Sequence, residues 1–518
     1  MSRYVAACVL VFALVSPAQD VTGSITGSVV DSAGSVIVGA NVKLISEQTG
    51  AVRAETTNAQ GNFEFNAVRP GTYTVSVGHA GFKQYQKKQI ELTPSDHLSV
   101  GTVSLEVGAV TDSVTVNAEG AVLQTASSER AGIVTSQEIQ ELTVINRDFT
   151  TFAELQPGVV INQGAQVQTF SGNNTFNVLG GRNTGNNILI DGLPSNNTNQ
   201  GNANTTISLD NTETVEVKVA NFGAEFGRNN GFTVMAVSRS GARAFHGAGY
   251  YYDRNEAFNA NNFFNNRAGL ARPVTRVDYI GGNLGGPLRI PHVPATRGKM
   301  FFFISTEVIG EKRPQAQQTV TVPTALERQG DFSQSGSNAK PIVLGGAAVT
   351  IKDPTTGLPF PGNVIPATRI VPSLQKYLNL LPAPNFLTTT DNAISKGAYN
   401  YVFQESLNVP KRLDSARLDY NFTSNTTMYA RFNYWYEDQQ GNGVSASNTK
   451  WGWLPQHYTA ITPSGVLGFT HIFSPTLVFQ GSMGYDQFSE DGPPLTQAAL
   501  VSCPRNKQTK SGRDSSMI

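Results

Sequence analysis

The sequence predicts a mainly β protein of several domains, and three observations support this fold class. Of 518 residues only 15% are charged, whereas 50 are Gly and 9% are aromatic, a composition typical of strands joined by turns. Short stretches in which apolar and polar residues alternate recur along the chain. Basic and acidic residues are equal in number, at 38 each, so the net charge indicates no nucleic-acid partner.

The first 18 residues predict a signal peptide for export. Arg3 precedes an apolar run at 5–15, and small residues at 16–18 supply a cleavage site. That run of about 11 residues is too short for a spanning helix, which needs roughly 20. Without the leader, Cys503 is the only cysteine, so disulfides cannot stabilise the mature monomer. No later segment of the sequence approaches a membrane-spanning helix, so entry into a membrane would require a closed β-barrel.

Residues 22–108 alternate short strand patterns with turn signals, which predicts a small β-sandwich. The segment resembles the carboxypeptidase regulatory-like (prealbumin-like) domain, and the matching motifs fall in the family's order: Gly39-Ala40, Asn58-Ala59-Gln60-Gly61, Pro70-Gly71-Thr72-Tyr73 and Gly81-Phe82. The resemblance implies a structural or weak ligand-contacting role and no peptidase chemistry.

Residues 109–118 link this domain to the next and contain one more alternating strand pattern. Their position resembles that of the energy-coupling box of TonB-dependent receptors, which a periplasmic partner captures by strand addition. The residues of this candidate box are Asp112, Ser113, Val114, Thr115 and Val116. The alternative is that the segment is the last strand of the sandwich or a linker, because short apolar runs discriminate poorly.

Two short helices are predicted next. Thr135 and Glu138 fit a capping box, with Ile139 and Leu142 on one face behind it. The run 147–155 stops at a Pro-Gly pair, and it carries three apolar residues at helical spacing, Phe149, Phe152 and Leu155. These side chains are expected in a core rather than at a cofactor.

The stretch 176–197 predicts a strand, a turn, a second strand and a second turn. Two apolar runs, at 176–179 and 188–190, surround Gly-Gly-Arg and end on Asp-Gly-Leu-Pro. Glycines permit positive φ, and Asp and Asn side chains bond their own backbone, which explains the turns. The Asn-rich segment 183–204 offers amides to a polar or glycan ligand, with plain loop function as the alternative.

Residues 119–243 resemble the α+β plug domain of TonB-dependent receptors, in the Oar-like branch that also carries a regulatory-like domain in front. Six short motifs carry the resemblance: Gly181-Arg182, Asn187, Asp191-Gly192, Val215-Glu216-Val217, Ala224-Glu225-Phe226-Gly227 and Ser240-Gly241. It implies that the plug motif and its contacts with a barrel wall involve seven residues: Gly181, Arg182, Asn187, Asp191, Gly192, Glu225 and Arg228.

From residue 244 to 518, aromatic-rich strands predict the N-terminal part of a transmembrane β-barrel. Apolar residues alternate with charged residues across 412–436, as lipid outside and water inside require. A soluble sandwich with one wet face would show the same alternation. Gly-Gly-Pro before a Lys-x-Phe-Phe-Phe run, and the loop-like region 313–408, resemble the Oar-like barrels.

The barrel region supplies about 8 to 10 strands at roughly 10 residues per strand plus turns. Barrels of this family have many more strands, and the tail at 503–518 lacks their aromatic ending. We therefore expect a truncated or frame-shifted product.

This resemblance implies a TonB-dependent transport receptor of the cell outer membrane. The implied partners are a TonB-type periplasmic energy transducer, outer-membrane lipid and an unknown extracellular ligand, for which an oligosaccharide is one candidate. The sequence has no His-Glu-x-x-His, Cys-x-x-Cys, phosphate loop or nucleophile elbow, so neither enzyme activity nor a metal or cofactor is expected. The rival interpretation is a secreted or surface-attached glycan-binding adhesin.

Overall fold

The computed structural model describes residues 21–108, 113–117, 129–144, 146–163, 174–197, 202–223, 226–227, 231–261, 263, 266, 272–290, 296, 298–314, 318–337, 342, 346–385, 399–403, 406–441 and 456–492. The predicted signal peptide and the tail at 503–518 lie outside these ranges. Within them, every helix is too short or too polar to cross a membrane.

The N-terminal domain is a two-layer β-sandwich, as predicted. Its strands are β1 Gly23–Asp31, β2 Asn41–Ser46, β3 Val52–Thr56, β4 Asn62–Val68, β5 Gly71–Gly78, β6 Gln84–Leu92, β7 His97–Leu105 and β8 Ser113–Asn117. One sheet has the order β4-β1-β7 and the other β3-β2-β5-β6-β8. Ile25 and Phe65 of the first sheet and Val42 and Val75 of the second are fully buried in one core between the layers.

The second domain is the predicted α+β domain. Its strands are β9 Arg130–Val134, β10 Val159–Gln163, β11 Asn174–Val178, β12 Asn187–Ile190, β13 Leu193–Pro194, β14 Thr212–Ala220 and β15 Thr233–Ser238. Five of them form a sheet of order β13-β12-β15-β14-β9, and β10 and β11 form a separate hairpin. The two strands of the 176–197 stretch therefore belong to different sheets. Phe176 joins them through an edge-on ring contact with Phe232, at 5.1 Å between centroids.

The predicted capping box starts helix α1, Ser136–Glu141. The Thr135 hydroxyl accepts from the Glu138 backbone N–H, and the Glu138 carboxylate accepts from the Thr135 N–H at 2.9 Å. Ile139 is buried, but Leu142 is 41% exposed. The reason is that the helix ends at Glu141, and Leu142 is already extended.

The second predicted helix, at 147–155, is a 3₁₀ helix that spans Phe149–Leu155. Asp148 caps it by accepting from the Thr150 N–H at 3.0 Å. With three residues per turn, side chains three apart align, and Phe149 and Phe152 are both buried. Leu155, the last residue of the helix, is 54% exposed, contrary to expectation.

The third region is a nine-stranded antiparallel sheet. Its strands are β16 His246–Asn255, β17 Arg276–Pro287, β18 Met300–Pro314, β21 Ser406–Asn408, β22 Lys411–Asn421, β23 Thr426–Gly441, β24 Gln456–Ser474, β25 Leu477–Asp486 and β26 Ser489–Asp491. The long loop between β18 and β21 contains the pair β19 Gln318–Val320 and β20 Tyr401–Phe403, and helix α2 Pro372–Leu378. Tight hairpins join β22 to β23 near residue 424 and β24 to β25 near residue 475.

The two faces of this sheet reverse the pattern of a soluble protein. The inner face buries polar side chains, including Asp419, Arg431 and Asn433, whereas Phe432 and Met483 are 51% and 75% exposed on the outer face. A soluble sandwich buries its apolar face. The arrangement seen here is that of a membrane barrel wall with a polar interior.

Candidate functional site

Asp191 occupies the turn between β12 and β13, and its side chain is buried where the plug meets the barrel wall. One carboxylate oxygen accepts from the Ser238 N–H at 2.9 Å, and the other accepts from the Ser238 hydroxyl at 2.6 Å. Within the plug, the carboxylate therefore connects the end of β12 to the end of β15.

The same carboxylate reaches two arginines of the barrel. Arg417 Nη1 lies 3.2 Å from Asp191 Oδ1, and Arg431 Nε lies 3.2 Å from Asp191 Oδ2. Tyr429 donates its hydroxyl to the Asp191 backbone carbonyl at 2.9 Å. All these barrel residues lie on β22 and β23, so this Asp191 anchor joins the plug to one hairpin of the wall.

The backbone at this anchor is left-handed at two successive residues. Asp191 has φ 49° and Gly192 has φ 80°. Gly adopts this conformation freely, and Asp tolerates it better than most residues because its short side chain bonds locally. The predicted Asp-Gly turn therefore aims the carboxylate at the wall.

A second anchor, centred on Arg147, was not recognised in the sequence. Arg147 forms ion pairs with Asp210 of the plug and, at 3.3 Å, with Glu307 on β18. Its φ is 51°, also left-handed. Three barrel tyrosines surround its guanidinium, with ring centroids 5.4, 4.1 and 5.5 Å away: Tyr250, Tyr252 and Tyr279. This cage combines ion pairing with cation–π attraction.

The other predicted plug residues lie elsewhere. Asn187 is buried within the plug, where its side-chain oxygen accepts from Asn196 at 2.7 Å. The Gly181 N–H donates to the Val178 carbonyl at 2.8 Å and closes a turn. Arg182 is exposed and, among the described residues, forms no ion pair with the barrel. Glu225 and Arg228 lie outside the described residues.

The candidate coupling box forms a strand of the sandwich. Ser113, Val114, Thr115 and Val116 belong to β8, which pairs in parallel with β6 from Gln84↔Ser113 to Lys88↔Asn117. Asp112 lies outside the described residues. The alternative interpretation, a last strand of the sandwich, thus describes its position in this structure.

The arginine pair on the barrel hairpin was a usable signal that the sequence analysis missed. Arg417 and Arg431 are direct partners across β22 and β23, and like charges in opposed positions are destabilising. Two arginines opposed on a predicted hairpin therefore require nearby carboxylates. Asp419 of the same strand contacts Arg417 at 3.0 Å, and Asp191 of the plug contacts both arginines.

The plug also holds a buried charge cluster on β14. Lys218 Nζ lies 2.6 Å from Glu129 Oε2 and 3.4 Å from Glu216 Oε1. Burial raises the pKa of the Glu216 carboxyl to about 8, although Lys218 opposes the shift. Among the described residues, no group of three His, Cys, Asp or Glu side chains has the arrangement of a metal site.

Three known domain families match the chain. Residues 237–509 match the outer membrane beta barrel domain, 123–234 match the TonB-dependent receptor plug domain, and 24–106 match the carboxypeptidase regulatory-like domain. The chain belongs to the outer membrane β-barrel family. The domain order of this barrel protein is that of a TonB-dependent receptor of the Oar-like type, which confirms the predicted family and fold class.

The chain is similar to one curated protein and to several solved structures. The TonB-dependent transporter Oar of Myxococcus xanthus is 28% identical over 241 residues, which are 44% of this chain and 21% of the relative. The outer membrane transporter YddB from Escherichia coli is 11% identical, with TM-score 0.42 over 70% of this chain and 39% of that one. The alcaligin outer-membrane receptor FauA from Bordetella pertussis is 11% identical, with TM-score 0.36 over 72% and 49%. The chain thus spans about a fifth of the curated relative and less than half of these structures.

Proposed function

We propose that this chain acts as a TonB-dependent transport receptor of the outer membrane. It is exported by the signal peptide at 1–18, binds a ligand at the cell surface and imports it past the plug. The observation that carries this proposal is the Asp191 anchor, in which one buried plug carboxylate neutralises Arg417 and Arg431 of the wall. Such an anchor keeps the plug in place until force is applied.

The short turns of the barrel face the periplasm, and the long connections face the outside. The outward surface therefore includes the 318–337, 346–385 and 399–403 segments of the long loop. An extracellular ligand, with an oligosaccharide as one candidate, binds there and on the plug. A TonB-type transducer captures residues 112–116 by strand addition and pulls the plug away from the wall.

The transducer contact is tested with the purified periplasmic domain of a TonB-type transducer and the full chain in detergent micelles. Val114→Pro should abolish binding, because proline cannot donate to an added strand. Thr115→Ala, in the same strand, should bind as the unmodified chain does. Equal binding by the Val114→Pro variant would contradict the assignment of the coupling box.

Cell fractionation separates the receptor from the adhesin. The receptor should appear in the outer membrane as a band whose gel mobility changes on heating, as folded barrels do. A soluble extracellular product without such a band would instead support the adhesin.

A further inference from the structure

The regulatory-like domain contacts the barrel at the end where its strands are joined by short turns. Arg69 Nη1 lies 3.0 Å from Asp419 Oδ1 on β22. Asn66 of β4 donates to the Pro475 carbonyl, in the turn between β24 and β25, at 2.9 Å. The domain therefore spans two neighbouring hairpins of the wall.

The same domain contacts the plug. Gln48 donates to the Glu213 carboxylate at 3.0 Å. Arg243, between the plug and the first barrel strand, donates to the Thr49 carbonyl at 2.6 Å and to the Gly50 carbonyl at 3.0 Å. These contacts and those with the barrel form one surface, which we name the domain seam.

The domain seam continues into the Asp191 anchor through shared charges. Asp419 accepts from Arg69 and also forms a two-point pair with Arg417, at 3.0 and 3.1 Å. Arg417 in turn contacts Asp191. The charges thus follow one another from Arg69 of the regulatory-like domain, through Asp419 and Arg417 of the barrel, to Asp191 of the plug. The Tyr429 ring contacts both guanidiniums of this series, with its centroid 5.5 Å from Arg69 Cζ and 5.2 Å from Arg417 Cζ.

In this chain of charges, two carboxylates compete for Arg417. Arg69 neutralises part of the Asp419 charge, so Asp419 attracts Arg417 less strongly and Arg417 contacts both carboxylates. Without Arg69, Asp419 would attract Arg417 more strongly and weaken its contact with the plug. The Arg69 side chain is 23% exposed, whereas those of Arg417 and Asp191 are 10% and 1% exposed, so Arg69 is the most accessible of these charges.

The domain seam is joined by polar contacts and is incompletely packed. A cavity of about 150 Å³ lies at the junction, lined by Arg53 and Tyr73 of the sandwich, Glu213 and Ser240 of the plug, and Thr427 of the barrel. Polar interfaces between domains of one chain permit relative motion. The contact is therefore suited to repeated docking and release.

We propose that the regulatory-like domain is a releasable lock on the plug, with Arg69 as its positioning residue. When docked, the domain keeps Arg417 on Asp191. When it undocks, Asp419 no longer shares its charge with Arg69, so its existing pair with Arg417 strengthens at the expense of the contact between Arg417 and Asp191. The plug is then held less tightly. The lock rests on the proposed function, because it matters only if the plug must be displaced.

The test is hydrogen exchange of the full chain in detergent micelles. Arg69→Ala should speed exchange about tenfold in the segments 187–195 and 233–240, since a lost charge-assisted contact changes local opening by about that factor. Lys83→Ala should have no effect there, because it removes an equally long ion pair inside the sandwich, 3.0 Å from Glu106. Adding Asp419→Asn to Arg69→Ala should restore protection, because the competing charge is gone.

Unchanged exchange in Arg69→Ala, or a further loss of protection in the double variant, would overturn the lock. Docking itself is tested by joining Gln48→Cys to Glu213→Cys with a short thiol cross-linker, after Cys8 and Cys503 are replaced by Ser. Absence of the cross-link would also overturn it. These experiments need neither transducer nor ligand, so a negative result would reject the lock and leave the proposed function untouched. The proposed function is tested separately, by the binding of the transducer to the Val114→Pro variant.

Discussion

Arg417 and Arg431 stand directly opposite each other on adjacent barrel strands, and the Asp191 carboxylate lies 3.2 Å from each of them. Within the barrel hairpin, Asp419 pairs with Arg417, whereas Arg431 repels the arginine opposite it. The plug supplies the carboxylate that contacts both arginines. Part of the stability of the wall therefore depends on the plug.

Asp191→Ala should destabilise the plug in the barrel by about 3–5 kcal/mol, because it removes the carboxylate that contacts the buried Arg431 and one of the two that contact Arg417. Asp191→Asn should cost less, since the amide oxygen still accepts and Asn tolerates the left-handed backbone. Urea titration followed by hydrogen exchange of 187–195 measures both changes. Arg182→Ala, an exposed plug arginine, should stay within about 0.5 kcal/mol of the unmodified chain.

Adding Arg431→Gln to Asp191→Ala should recover part of that loss. Removing one guanidinium ends the repulsion that Asp191 normally balances. A double variant less stable than Asp191→Ala in the same urea titration would show that Arg431 stabilises the hairpin by other means.

Arg147→Ala should cost about 3–5 kcal/mol, because Glu307 then remains buried without its cation. Arg147→Lys keeps the charge but loses the planar contact with the tyrosine rings, so a loss of about 1–2 kcal/mol is expected. Hydrogen exchange of 146–155 gives both values. As a control, Tyr252→Phe preserves the ring face and should leave exchange unchanged, whereas Tyr252→Leu should not.

Glu216 makes plug stability depend on pH. Its folded pKa, about 8, lies above the ordinary value of 4.5, so the folded plug holds a proton that the unfolded chain releases. This stabilisation is complete below the ordinary value and is lost as pH rises through the folded value, at up to about 1.4 kcal/mol per pH unit. The groups facing Glu216 are Lys218, Glu129 and Asp96.

Glu216→Gln should flatten this dependence, because the amide stays neutral at every pH. Urea titrations between pH 5 and pH 9, repeated at intervals of about one pH unit, measure how steeply the free energy of unfolding changes with pH. Glu141→Gln, on the exposed side of α1, should keep the original slope. A slope that survives Glu216→Gln would assign the pH dependence to another group.

Thr135→Ala should destabilise α1 by about 1 kcal/mol, because it leaves the Glu138 N–H without its cap. Exchange rates of 136–142 measure this local opening. Thr143→Ala, an exposed threonine after the helix, should leave those rates unchanged.

Local features were predictable and long-range partners were not. The capping box at Thr135 and the Asp191-Gly192 turn depend on neighbouring residues, and the sequence displays them directly. Helical spacing at Phe149 and Phe152 fits both an α-helix and a 3₁₀ helix, so it could not distinguish the two. Alternation on β22 and β23 shows which residues share a face, but it does not show which face meets lipid.

Arg147 illustrates the limit most clearly. In the sequence it stands immediately before a capped aromatic run, which suggests only the start of a helix. Its tyrosine cage comes from β16 and β17, about 100 residues further along the chain. The pairing of those strands with β18 brings Glu307 to the same place, and no local pattern contains that information.

Arg147 and Asp191 attach the plug to different parts of the wall, one near β16–β18 and the other on β22 and β23. Two separated attachments share a force equally only when it acts midway between them. A pull applied at the N-terminal side of β9, at the edge of the plug sheet, would therefore load them unequally. They would break in succession, so the peak force would be set by the stronger attachment and not by the sum of both.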